Sequence, residues 1–282
     1  SKMTSLLLAI IFTVILFVCF KEFTNKDIDT SQGITFNYFA ASILGLLFYE
    51  NSISIYEITT SEWIYPTIAL GFFFIIMFNI MAITTQKLGI SIASMASKMS
   101  LIIPFSAALY LEENADFSLI NGVGILIALI AIYLTFKKNT KLSHPITIAI
   151  ILFFGAGILD TSLNYIEENF LVYKQDHSQF IMIVFFVAFL AGLIKIIYSR
   201  KKIRVKNIIA GIILGIPNYF SIYFALDALN QIGGAIVFPV LNIGVVLLSS
   251  IISFKFYSEY LSKLNWGGIT LACLSIILIL VY

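Results

Sequence analysis

Charge is scarce in this chain: Asp, Glu, Lys and Arg make up 11% of its 282 residues, against about a quarter in an ordinary soluble domain, while 60% are hydrophobic. That balance excludes a water-soluble enzyme or binding module. Cysteine is nearly absent as well. Cys19 and Cys273 fall in apolar runs without CxxC or Cys/His spacing, which excludes a disulfide framework and a structural zinc site. His144 and His177 are isolated at segment ends, so no ligand set is expected, and no cofactor or metal. Gly/Ser linkers, low-complexity tracts and polar stretches long enough for a soluble domain are also missing.

What the chain has is apolar sequence in long runs. Ten segments stand near 4–20, 31–49, 63–84, 90–111, 117–136, 145–165, 178–198, 206–228, 233–255 and 264–282. About 20 apolar residues suffice to cross a bilayer as a helix, and runs this continuous are not the alternating strands of a barrel. The first segment is too long for a typical signal-peptide core, and Val18 before Cys19 does not suit a lipoprotein site, so it is read as a span. The expected fold is all-α: a multi-pass protein of the cytoplasmic (inner) membrane with ten transmembrane helices.

Its charges are sorted by side. Loops after segments 1, 3, 5, 7 and 9, with their flanks, hold fourteen cations, among them Lys21, Lys26, Lys87, Lys137, Lys138, Lys141, Lys255, Lys263 and the run SRKKIRVK at 199–206. The other side holds Lys2 and Lys174 and collects the acids. Cations mark the cytoplasmic side, which puts both termini outside. SRKKIRVK reads as an orientation signal, and no nucleic-acid partner is expected.

An internal repeat follows. QKLGISIASMASKM leads to YLEENADFSLINGVG in the first half; NQIGGAIVFPVLNIG leads to YSEYLSKLNWGG in the second. Gly89 answers Gly233, Glu113 answers Glu259, and Gly122 answers Gly268, which divides the chain into five-helix repeats at 1–138 and 139–282. An odd number of helices per half inverts the second half across the membrane, the arrangement that suits alternating access.

At these residues the chain resembles the drug/metabolite transporter superfamily, specifically its ten-helix EamA-like members. The resemblance implies a basket-like bundle in which helices 3, 4, 8 and 9 surround a central cavity. Helices 5 and 10 would be peripheral, giving a monomer or a weak homodimer through them. The chain departs from the family pattern in two ways: Glu112 and Ser258 stand where a glycine usually precedes the family Glu, and the family's termini are cytoplasmic.

Polar residues within the apolar segments are the candidate site. Lys98 stands about eight residues into segment 4, among Ser91, Ala93, Ser94, Ala96, Ser97 and Ser100, whose small side chains favour close helix packing and so turn Lys98 to the interior. Asp160 is an acid well inside a span, and Asn164, four residues on, shares its face. Segment 8 carries IPNYFSIYF, where Pro217 is expected to kink the helix beside Asn218, Tyr219 and Tyr223. Asn242 occupies the repeat position of Lys98, and Asn79, Asn37 and Tyr38 complete the substrate-binding candidates. Lys98 has three partners open to it: a substrate, a proton or Asp160.

The expected function is secondary transport, by alternating access, of a small polar organic metabolite such as an amino acid or carboxylate. Protons or a counter-substrate supply the energy, since no Walker motif is present. Membrane lipid is the other partner. The alternatives are a membrane-embedded transferase, which would want clustered His, Asp or Glu, and efflux of amphipathic drugs. No enzymatic activity is expected.

Overall fold

The computed structural model describes residues 2–49, 55–111, 118–136, 146–170, 174–232 and 234–280. Glu112, Glu113 and Gly233 lie outside these. Among the described residues the chain is all-helical: α1 Lys2–Asn25, α2 Thr30–Leu47, α3 Ile55–Thr60, α4 Ile64–Leu88, α5 Ile90–Met99, α6 Ile102–Leu111, α7 Leu119–Phe136, α8 Thr147–Phe170, α9 Lys174–Tyr198, α10 Val205–Ile232, α11 Gly234–Phe256 and α12 Lys263–Leu280. Seven spans are long and apolar enough to cross a membrane, in α1, α4, α5 with α6, α8, α9, α10 and α11, while α7 and α12 are shorter apolar helices.

The interruption between α5 and α6 has a local cause. Pro104 has no N–H to give the Ser100 carbonyl four residues back, and its ring crowds that carbonyl. Ser100 is buried, so its oxygen needs another donor; the Ile103 N–H supplies one at 2.9 Å in a tighter turn. Pro217, the expected kink, lies inside α10, which runs through it without a break.

The chain forms two compact units. One comprises Ser1–Lys21, Ile80–Ile158 and Phe220–Tyr282; the other comprises Glu22–Asn79 and Leu159–Tyr219. Each unit draws on both sequence halves.

In the first unit α7 packs against α12, and α5 against α11. The α7–α12 pair is joined twice by the same device. Ser118 and Asn121 form a reciprocal cap at the start of α7: Asn121 Oδ1 accepts from the Ser118 N–H (3.1 Å) and hydroxyl (2.7 Å), and the Asn121 N–H donates to Ser118 Oγ (3.2 Å). Ser262 and Asn265 repeat this at the start of α12, at 2.9, 2.8 and 3.2 Å. Each asparagine then spends its Nδ2 on the other helix's last turn. Asn121 reaches the carbonyls of Leu278 (3.4 Å) and Ile279 (3.2 Å), and Asn265 reaches those of Leu134 (3.3 Å) and Thr135 (2.9 Å). Carbonyls at a helix C-terminus lack intrahelical donors, so one amide satisfies the start of its own helix and the end of its antiparallel neighbour. Gly124 lies against Ile279, and Gly268 against Thr135. Every one of these correspondences spans 144 residues: 118 to 262, 121 to 265, 124 to 268, 134 to 278 and 135 to 279. Gly268 therefore answers Gly124, and the expected Gly122–Gly268 pairing is two residues out of register.

In the second unit α2 packs against α9. Small residues allow close approach: Gly192 sits on Thr35 and Ile75, Gly45 on Met182 and Gly71 on Val187. Gly211 and Gly215 of α10, four residues apart, press on the backbone of α2, where a Cβ at Gly215 would lie 2.7 Å from the Asn37 carbonyl oxygen. This is the small-xxx-small packing by which membrane helices gain van der Waals contact without a hydrophobic driving force.

Candidate functional site

The first unit places Lys98 in the last turn of α5, where the interrupted span leaves a helix C-terminus, and leaves it half-buried. A cation is favoured there, because the carbonyl ends of the peptide dipoles face it. The rest of α5 is enclosed: Ile90, Ser91, Ile92, Ala93, Ser94, Met95 and Ala96 are all buried. Hydroxyl pairs tie it to α11, Ser91 with Ser250 at 3.0 Å and Ser249 with Ser94 at 2.5 Å. On the antiparallel register those pairs set, Lys98 and Asn242 lie within about one turn of each other along the helix axes. Asn242 is buried, at 8% exposure. The small residues around Lys98 therefore do pack against protein.

The other end of α5 carries Glu259, an acid outside the candidate site. Ser258 adopts φ +51, which turns the chain after α11 so that Glu259 folds back. Its carboxylate accepts the Ser253 hydroxyl, the Ile90 N–H at 3.0 and 3.2 Å, and the Lys21 ammonium at 3.0 Å. Glu259 thus caps α5 and not its own neighbouring helix, and an anion at a helix N-terminus is stabilising. Gly89, at φ +102, has no room for a Cβ because the carboxylate occupies that space. A left-handed φ favours glycine, so Ser258 stands at a turn position that would suit one.

The second unit gathers several predicted residues about α2. Tyr38 is fully buried; its hydroxyl donates to the Phe74 carbonyl at 3.2 Å and its ring tilts against Phe78 and Phe185. Asn37 is fully buried beside Gly211 and Gly215, and neither amide atom of its side chain has a hydrogen-bond partner among the described residues. Asn218, one turn beyond Gly215 on α10, is 4% exposed. Tyr219 stacks on Phe48 just past the end of α2, at 5.8 Å between ring centroids. Asn79 spends its Nδ2 on the Ile75 carbonyl of its own helix at 2.7 Å.

The remaining candidates lie on α8 and α10. Tyr223, in the first unit, is exposed and edges against Phe220 and Phe224. Asp160 is half-buried and Asn164 exposed on α8. Among the described residues no group of three His, Cys, Asp or Glu is placed to hold a metal ion. A cavity of about 430 Å³ between α7 and α8, lined by Leu129, Ile132, Tyr133, Ile146, Ile150, Phe153 and Phe154, contains none of the predicted site residues.

These features define an all-helical protein whose long apolar helices fit a multi-pass place in a membrane. No family model matches the chain. It is 29% identical over 281 residues to an uncharacterized protein of Haemophilus influenzae, an alignment covering 95% of this chain and 94% of that one. A crystal structure of another protein shares the fold at a TM-score of 0.62, with 12% identity, over 99% of this chain and 96% of its own.

Proposed function

We propose that the chain is a secondary transporter of the drug/metabolite type, built from ten membrane spans in two inverted five-helix repeats. It carries a small polar organic metabolite, an amino acid or carboxylate, across the cytoplasmic membrane by alternating access. The ten spans are α1, α2, α4, α5 with α6, and α7 to α12. The observation that carries this reading is the α7–α12 seam, where two antiparallel helices exchange identical contacts at one constant interval of 144 residues. Identical contacts at opposite helix ends are what a two-fold axis lying in the membrane plane produces, and such repeats let one packing serve both faces.

The interrupted span supports the place of the site. Broken helices near the bilayer midplane supply carriers with helix ends that meet charged groups, and Lys98 stands at such an end. Its role is to meet a carboxylate of the substrate, with Asn242 of the same unit supplying a directional hydrogen bond. Coupling is to protons or a counter-substrate.

The test is flux in liposomes. A metabolite library is screened by thermal shift on purified protein, and each hit is followed as counterflow. Lys98→Gln and Lys98→Ala are expected to lower flux at least a hundredfold while the protein still inserts and melts cooperatively. Undiminished flux in both variants overturns the assignment of Lys98, and a hit chemically converted by pure protein favours the transferase reading.

A further inference from the structure

The turn between α9 and α10 carries Arg200, Lys201, Lys202, Arg204 and Lys206, all exposed. Orienting a helix pair in a membrane needs such charges only in number; it does not need them held in place. Here they are held. Gln32 and Asn207, 2% and 1% exposed, clasp the backbone beneath the turn: Gln32 Nε2 donates to the Lys202 carbonyl (3.1 Å), the Arg204 N–H and Asn207 Nδ2 both donate to Gln32 Oε1 (3.3 and 2.7 Å), and the Asp29 N–H donates to Asn207 Oδ1 (3.2 Å). Above the clasp, Asp29 takes Lys201 at 3.1 Å, and Asp27 takes Lys206 at 2.9 Å and Arg204 at 3.4 Å. Arg200 and Lys202 have no carboxylate partner among the described residues.

Apolar side chains stand among these cations. Tyr198 is 90% exposed, and Ile203 and Val205 are exposed beside it. The apolar spans stop at Tyr198 and resume at Val205, so the turn lies at headgroup depth, where an amphipathic aromatic ring is at home.

We propose that this turn is a binding surface for acidic phospholipid. The lipid phosphate sits on Arg200 and Lys202, Tyr198, Ile203 and Val205 enter the acyl boundary, and Asp27 competes with the phosphate for Arg204 and Lys206. The buried clasp fixes the backbone that carries the cations, so binding orders their side chains without also having to order the turn. The assignment is independent of what the protein transports.

The experiment uses the full chain, delipidated in neutral detergent, with its melting followed as phosphatidylglycerol, phosphatidylcholine or glycerol phosphate is added. Phosphatidylglycerol is expected to raise the melting temperature and the other two are not. The double variant Arg200→Gln/Lys202→Gln is expected to need roughly thirtyfold more phosphatidylglycerol for the same shift, two cations' worth of attraction. Asp27→Asn, which keeps a residue tolerant of the left-handed φ of +50 while releasing Arg204 and Lys206, is expected to need less. An equal response to phosphatidylcholine, an unchanged response in the double variant, or a weaker one in Asp27→Asn overturns the proposal. An equal shift with glycerol phosphate overturns the lipid as its occupant.

Discussion

Ser258 holds a left-handed backbone conformation that costs an L-residue about 1–2 kcal/mol and costs glycine almost nothing. Ser258→Gly should therefore raise stability by about 0.5–1 kcal/mol, part of the gain being offset by the freer unfolded chain; thermal melting in detergent checks it. Asn37 is a sharper case. Burying both atoms of an amide without partners costs about 1–3 kcal/mol, so Asn37→Leu should raise the melting temperature. If Asn37 serves the substrate, the same variant loses flux, and stability and activity move in opposite directions. A lower melting temperature would show that the amide finds partners after all. Sequence alone nominated Asn37 among several buried amides, but only packing separates it from Asn79, whose side chain is spent on its own helix.

Among the elements, α7 and α12 share one design. Asparagine is needed at their third helical positions because its Oδ1 caps the near end while its Nδ2 serves the far one; a carboxylate does the first job and opposes the second. Asn265→Asp should then cost about 1–3 kcal/mol, more than Asn265→Ser, read from thermal melts of the two variants side by side. The repeated S-x-x-N was legible in the sequence, yet the conspicuous glycines drew the register two residues astray. The helices themselves were legible from apolar runs of the right length. Their interruptions were not, because a proline's effect depends on the carbonyl it strands. Pro217 and Pro239 lie inside α10 and α11, which continue; Pro104 releases the carbonyl of buried Ser100, which recruits Ile103 and ends α5. Glu259 was equally hidden, since its target, the Ile90 N–H, lies 169 residues away.

At the scale of the whole molecule, the ion pairs among the described residues gather at two junctions, Lys21 with Glu259 and the α9–α10 turn with Asp27 and Asp29. Burial raises the Asp29 carboxyl, but the Gln32 N–H, Lys201 and the Ser31 N–H outweigh it and hold the group below the usual carboxylate range; Asp27 is lowered by Lys206 and Arg204. A carboxyl depressed in the fold contributes stability above its unfolded value and loses it as pH falls through the folded one. Below about pH 4, hydrogen exchange at residues 202–207, corrected for its intrinsic rate, should accelerate, while that of α7 and α12 should not. The reason lies in what joins them. Amide to carbonyl bonds carry no net charge, so neither protons nor salt compete for them. Acid or brine therefore works on this protein like a solvent for one kind of glue: the turns at its rim let go first, and the α7–α12 seam stays joined.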